Sequence, residues 1–153
     1  MMRVFVSSTL PCDSTRAWAA VQTPEVLLEV CRPLVTLLPL PGETFPERWV
    51  EGRSGQVRSW LFGLIPFGVR SLVFEKVDQE QQIIQTREHD PLIQKWDHCI
   101  RVQTLEPGRC QYSDEVEIDA GILTLPVWLF ARVLYSHRHR RWLNVARRLQ
   151  ATP

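Results

Sequence analysis

The sequence predicts an α+β fold. A curved antiparallel sheet of six to seven strands wraps one long C-terminal helix, and two short helices follow the first strand. Three observations predict it. Five extended runs succeed one another between residues 53 and 119, with only short turns between them. Segment 126–149, PVWLFARVLYSHRHRRWLNVARRL, then repeats apolar residues at helical spacing: Phe130, Val133, Leu134, Trp142, Val145 and Leu149. Ahead of both, an alternating strand precedes two short segments that carry helix-start signals.

The elements follow in order. Met2–Leu10 alternates around Val4 and Val6 and reads as the first strand, ended by Pro11-Cys12-Asp13. Asp13 or Ser14 suits the N-cap of a short helix carrying Ala17, Trp18 and Val21. Thr23-Pro24-Glu25 opens a second helix, with Thr23 as N-cap and Pro24 at the first helical position. Pro33, Pro39, Pro41 and Pro46 then forbid a regular central strand. The next strand is expected at 47–50, before Glu51-Gly52. Strands are expected at 56–62 and 69–77, joined by an apolar loop over 63–68, GLIPFG. Asp78-Gln79-Glu80 turns the chain into a strand at 82–88, and Asp90-Pro91 breaks it. Strands over 93–105 and 110–119 flank Glu106-Pro107-Gly108-Arg109, with Pro and Gly where a turn needs them. The space between such a sheet and its helix is either filled or hollow.

At 153 residues the chain reads as one domain, 1–153, able to bury about 70% of its unfolded surface. A net charge of +1 carries no nucleic-acid signature. The charge is uneven, however: residues 127–153 hold six Arg, two His and no acid. The helix is cationic and the body anionic. Electrostatic fit between helix and sheet is the first reading; weak membrane-surface contact, or an anionic partner, is the second. Cys12, Cys31, Cys99 and Cys110 show no zinc or C-x-x-C spacing and read as buried free thiols of a reducing compartment. MMRVFVSST has no apolar signal region, and no run approaches the ~20 apolar residues of a membrane span, so a cytoplasmic protein is expected.

Four sets of residues carry a resemblance. They are Ala17-Trp18 after the opening strand, Phe62, Gly63, Pro66, Phe67 and Gly68 of the apolar loop, Trp96 and His98, and Tyr112-Ser113-Asp114-Glu115-Val116. With the element order, these resemble the START-like, or SRPBCC, helix-grip superfamily over essentially the whole chain. That superfamily includes pollen-allergen proteins, lipid-transfer START domains and aromatic polyketide cyclases. The resemblance implies a cavity for a hydrophobic small molecule under the long helix. It leaves catalysis open, because catalytic residues differ among the superfamily's enzymes.

Alternation sorts the polar residues of the last strands. His98 shares the even face with Trp96, Ile100 and Val102; Asp114 shares it with Tyr112, Val116 and Ile118. Both are therefore expected inward on neighbouring strands, a few residues apart and close enough for contact through a side chain or a water. Glu88, on the face of Ile84, is a third inward candidate. A His and a carboxylate in an apolar cavity suit general acid–base work, since desolvation and contact shift their pKa values. Mutual satisfaction of buried polar groups, or orientation of a ligand, is the plainer role. Trp60, Phe74, Trp96, His98, Asp114, Phe130 and Leu134 are the expected cavity lining. Loop 63–68 is expected either as a lid with two glycine pivots or as a packed turn. In the cluster His137-Arg138-His139-Arg140-Arg141, Arg138 lies near the stripe of Leu134 and Trp142. It is expected to pair with sheet carboxylates, the anionic group of a ligand being the other option. No second His lies at ligand spacing for a metal, and no phosphate loop, nucleophile elbow or dinucleotide fingerprint occurs. No metal or cofactor is therefore expected.

Three functions follow. The first is binding or carriage of a hydrophobic or amphipathic small molecule. The second is a cyclase or dehydratase using His98 and Asp114, with Glu88 as a further candidate. The third is an interaction module using the cationic helix.

Overall fold

A computed structural model describes residues 1–152. Seven strands form one antiparallel sheet: β1 (Met2–Leu10), β2 (Val35–Pro39), β3 (Ser54–Leu61), β4 (Ile65–Asp78), β5 (Ile83–His89), β6 (Lys95–Glu106) and β7 (Arg109–Asp119). Their order is β1-β7-β6-β5-β4-β3-β2, so β2 to β7 run as a meander and β1 closes the far edge against β7. Helices α1 (Ser14–Val21) and α2 (Pro24–Cys31) separate β1 from β2. A 3-10 turn, Gly121–Leu123, leads into the 28-residue α3 (Thr124–Ala151). The architecture is the helix-grip fold.

Alternation builds the inner face. In β7 every even residue from Cys110 to Ile118 is buried and every odd one is not. Helix α3 covers this face with Ala131, Leu134, Tyr135, Arg138, His139, Trp142, Val145 and Ala146. Val133, expected in the stripe, is 56% exposed. At 3.6 residues per turn it sits roughly 140° around the helix from Arg138. Apolar packing forms two clusters, one around Trp18, Tyr112 and Trp142, the other around Trp96, Leu134 and Tyr135. Each fully buried large apolar side chain contributes about 1.5–3 kcal/mol relative to exposure.

Two expected elements differ. No strand forms at 47–50. Trp49 is buried there instead: its amide donates to the Gln22 carbonyl at 2.9 Å and its ring stacks on Phe74 at 4.6 Å. The missing strand is β2, between prolines. Because β2 is the sheet edge, Pro39 costs no central ladder bond. The apolar run 63–68 is mostly strand. Only residues 62–64 turn, with Phe62 and Gly63 at positive φ, and pairing resumes at Ile65. A register shift between Ser59 and Trp60 lies opposite this run.

The short helices begin as expected, at Asp13 and Thr23, but neither residue caps with its side chain. Asp13 instead accepts a hydrogen bond from the Gly108 amide at 2.6 Å, pinning the β6–β7 turn. The basic residues of α3 also find different partners. Arg148 grips Glu29 of α2 with two bonds of 2.9 and 2.8 Å, and Arg141 donates to the Glu29 carbonyl. Among the described residues no arginine of α3 forms an ion pair with a sheet carboxylate. Cys12, Cys31 and Cys110 are buried free thiols, whereas Cys99 is only half-buried. No described helix is long and apolar enough to cross a membrane.

Candidate ligand-binding site

Between the sheet and α3 lies a cavity of about 400 Å³. Its walls are largely aliphatic and aromatic, from α2, the inner faces of β2 to β6, and α3. The lining residues Leu92, Leu123 and Pro126 are exposed and mark the mouth. Val30, Arg138 and Trp142 are buried and mark the interior.

Of the residues singled out by alternation, Phe74, Trp96, His98, Glu88, Phe130 and Leu134 lie on the cavity wall. Trp60 does not. Val57 pairs with Arg70 and Gly55 with Leu72, so the inward even positions of β4 face odd positions of β3. The inward residues of β3 are therefore Val57 and Ser59, and Trp60 is half-buried on the other face. Asp114 is also absent from the wall. It is fully buried, one layer behind His98.

The polar groups form a connected chain. His98 Nε2 donates to Asp114 Oδ1 at 2.5 Å, and His139 Nε2 donates to Oδ2 at 2.8 Å. An ionised carboxylate only accepts, so both rings carry their proton on Nε2. The Ser8 hydroxyl and His139 Nδ1 share a hydrogen bond of 2.6 Å, in which the hydroxyl donates when the ring is neutral. Tyr112 adds a longer bond to Asp114 Oδ1 at 3.3 Å. The chain thus runs from the cavity wall at β6, through β7 and α3, to the half-buried edge strand β1. Burial pushes the Asp114 carboxyl up, but Arg138, His139 and His98 outweigh it and hold the group well below the usual carboxylate range. Burial pushes the Tyr112 and Tyr135 hydroxyls up.

A second polar group sits on the cavity wall. Arg70 donates to Glu88 at 3.1 Å and to Asp90 at 3.4 Å, and its guanidinium lies 4.8 Å from the centre of the Trp96 ring. Thr86 donates to the other oxygen of Glu88 at 3.1 Å. Glu88 is therefore an ion-pair partner. Arg138, expected to pair with a sheet carboxylate, accomplishes no such bond; its guanidinium lies 4.8 Å from the centre of the Tyr135 ring. Burial works against its charge, and Cys31, Asp114, Tyr112 and Tyr135 outweigh burial.

The family model for a domain of unknown function, DUF8410, matches residues 8–146. The chain belongs to this family. No curated protein matches this DUF8410 member. Solved structures do resemble it. A START superfamily protein from Mycobacterium smegmatis is 13% identical with a TM-score of 0.69, covering 96% of this chain and 98% of its own. The Zhui aromatase/cyclase from Streptomyces sp. R1128 is 13% identical with a TM-score of 0.66, covering 96% and 94%. Norcoclaurine synthase from Thalictrum flavum, in complex with dopamine and hydroxybenzaldehyde, is 10% identical with a TM-score of 0.66, covering 96% and 87%. At these identities the likeness is one of fold. The DUF8410 chain shares the START-like helix-grip architecture that its motifs resembled.

Sequence reasoning missed His139, Ser8 and Arg70. His139 stands four residues after Tyr135 and three before Trp142, which puts it on the buried face of α3; that spacing was the available signal. Its basic neighbours masked it. Three members of that cluster are spent inside the molecule: His137 on the Arg32 carbonyl, His139 on Asp114, and Arg141 on the Glu29 carbonyl. Among the described residues no group of three His, Cys, Asp or Glu is arranged to hold a metal ion.

Proposed function

We propose that the protein binds or carries a hydrophobic or amphipathic small molecule, lipids among the candidates, in the cavity under α3. The observation that carries this reading is the cavity itself, at about 400 Å³ with largely apolar walls and a few convergent polar groups. Small-molecule sites typically span about 300–1,000 Å³ with the same composition. The fold likeness to a START superfamily protein and to a synthase solved with two small aromatic molecules supports it. We assign the protein to the cytoplasm, where free thiols such as its four cysteines persist.

The test is a titration with an apolar fluorescent probe, beside mass spectrometry of small molecules that co-purify with the native protein. Leu134→Trp, which extends a wall residue into the cavity, should lower probe affinity about tenfold while circular dichroism stays unchanged. Equal affinity in both proteins overturns the reading.

The Ser8–His139–Asp114–His98 chain favours one second reading, acid–base catalysis of the cyclase or dehydratase type by His98. The two readings differ in what His98→Ala does. A carrier loses about tenfold in affinity for a polar-headed ligand, the size of one hydrogen bond at the stronger end. A catalyst keeps binding and loses about 10²-fold or more in turnover.

A further inference from the structure

Arg138 brings a full positive charge to the cavity wall without a hydrogen-bond partner among the described residues. The residue is 4% exposed, and its Nε is enclosed with no acceptor. None of the described hydrogen bonds or ion pairs includes it, and its guanidinium lies 4.8 Å from the centre of the Tyr135 ring. The interior carboxylates are committed elsewhere. Asp114 Oδ1 takes His98 and Tyr112, and Oδ2 takes His139. Glu88 Oε1 takes Thr86, and Oε2 takes Arg70. Asp114 balances the charge of Arg138 through space but leaves its five N–H donors to other acceptors.

A second donor stands one helical turn away. Trp142 is 1% exposed, lines the same cavity, and its Nε1 also lacks an acceptor. Residues four apart on a helix are neighbours on one face, about 5–6 Å between Cβ atoms. Across the cavity Arg70 Nε is a third such donor. Four buried side-chain atoms in the described protein lack partners, and all four are N–H donors; only Arg58 lies off the cavity wall. Burying a donor, and above all a charged one, without an acceptor is costly, so such groups in native proteins are normally met by a partner. The complement of this wall is an acceptor-rich, anionic group of modest size. A planar carboxylate matches the guanidinium fork with two parallel bonds.

We infer that the cavity takes an amphiphile with a carboxylate head, seated between Arg138 and Trp142, with its apolar body directed toward Pro126 and Leu123 at the mouth. The inference rests on the proposed binding role of the cavity and specifies its ligand class. Arg138 supplies the charge and the fork. Trp142 supplies a single donor, and the aliphatic walls supply most of the contact area.

The experiment compares three ligands of equal chain length at neutral pH: dodecanoate, dodecanol and dodecylamine, each displacing an apolar fluorescent probe. Wild-type protein should bind dodecanoate about tenfold or more tightly than dodecanol, the size of a charge-assisted hydrogen bond, and dodecylamine most weakly. Arg138→Met, checked for folding by circular dichroism, should remove the preference by bringing dodecanoate binding down to the level of dodecanol. Trp142→Phe keeps an aromatic ring but loses the indole donor, and, checked for folding in the same way, should cut the preference several-fold. It stands as the test should Arg138→Met fail to fold. Equal affinity of wild type for dodecanoate and dodecanol overturns the carboxylate assignment while leaving the cavity reading in place. So does an unchanged preference in either folded variant. If none of the three ligands displaces the probe, the binding role itself fails.

Discussion

His139 Nε2 donates to Asp114 Oδ2 at 2.8 Å, joining the centre of α3 to the inner face of β7. The same carboxylate takes His98 on its other oxygen. Asp114→Asn retains the shape but loses the charge that balances Arg138 and that both rings address. Removing one partner of a buried charged network typically costs about 3–5 kcal/mol. Urea denaturation should show a lower midpoint at unchanged slope. A loss under about 1 kcal/mol would contradict the assigned role.

Acid should weaken the wild type more than that variant. The folded-state pKa of Asp114 is depressed, with burial opposed by Arg138, His139 and His98. Its stabilising contribution is therefore complete above the unfolded carboxylate value of about 3.9 and is lost as pH falls below it. The stability gap between wild type and Asp114→Asn should hold near neutrality and narrow below about pH 4. A gap independent of pH in that window would show that Asp114 is not the group responsible.

Ser8 closes the far end of the chain from a half-buried edge strand. Ser8→Ala should cost only about 0.5–1.5 kcal/mol, because water reaches that edge and replaces part of the bond. A double-mutant cycle with His139→Ala should give a coupling of at least about 0.5 kcal/mol. Strict additivity would mean that the 2.6 Å contact carries no energy.

Phe74 and Trp60 offer a paired contrast. Phe74 is buried, stacks on Trp49 and lines the cavity, whereas Trp60 lies on the opposite face of the sheet. Phe74→Ala should cost about 3–5 kcal/mol and weaken an apolar probe. Trp60→Ala should cost about 1 kcal/mol and leave the probe's affinity unchanged. The reverse ranking, read by thermal denaturation and probe titration, would reassign the inner face of β3.

How much the sequence disclosed depended on register. Ile84, Thr86 and Glu88 face Ile100, His98 and Trp96 without interruption, so simple alternation placed all six. The same logic failed at Trp60, because the facing of β3 is set by its pairing with β4, a long-range fact that no local pattern carries. The edge strand Val35–Pro39 hid between prolines for a related reason: an edge tolerates what a centre does not, and sequence alone does not mark edges. His98 and Asp114 were recognisable as inward, but their direct bond was not, since they are diagonal across β6 and β7: Asp114 lies opposite Ile100. His139 was obscured by the basic run around it, His137-Arg138 and Arg140-Arg141, whose composition gives no sign of which members face inward.

If the cavity takes a guest as proposed, its depth bears on how fast that guest exchanges. From Pro126 at the rim to Arg138 is about 18 Å along α3 at 1.5 Å per residue. A carboxylate bound for that arginine travels head first past aliphatic walls, shedding its water before any new bond forms. The uncharged acid meets a lower barrier on that path than its anion. For a carboxylate guest of the kind proposed, entry and exit would both be faster as the uncharged acid and slower as the anion, because both directions cross the same apolar walls. On the proposed reading, the depth of Arg138 would therefore make exchange of an anionic guest slow in both directions near neutral pH.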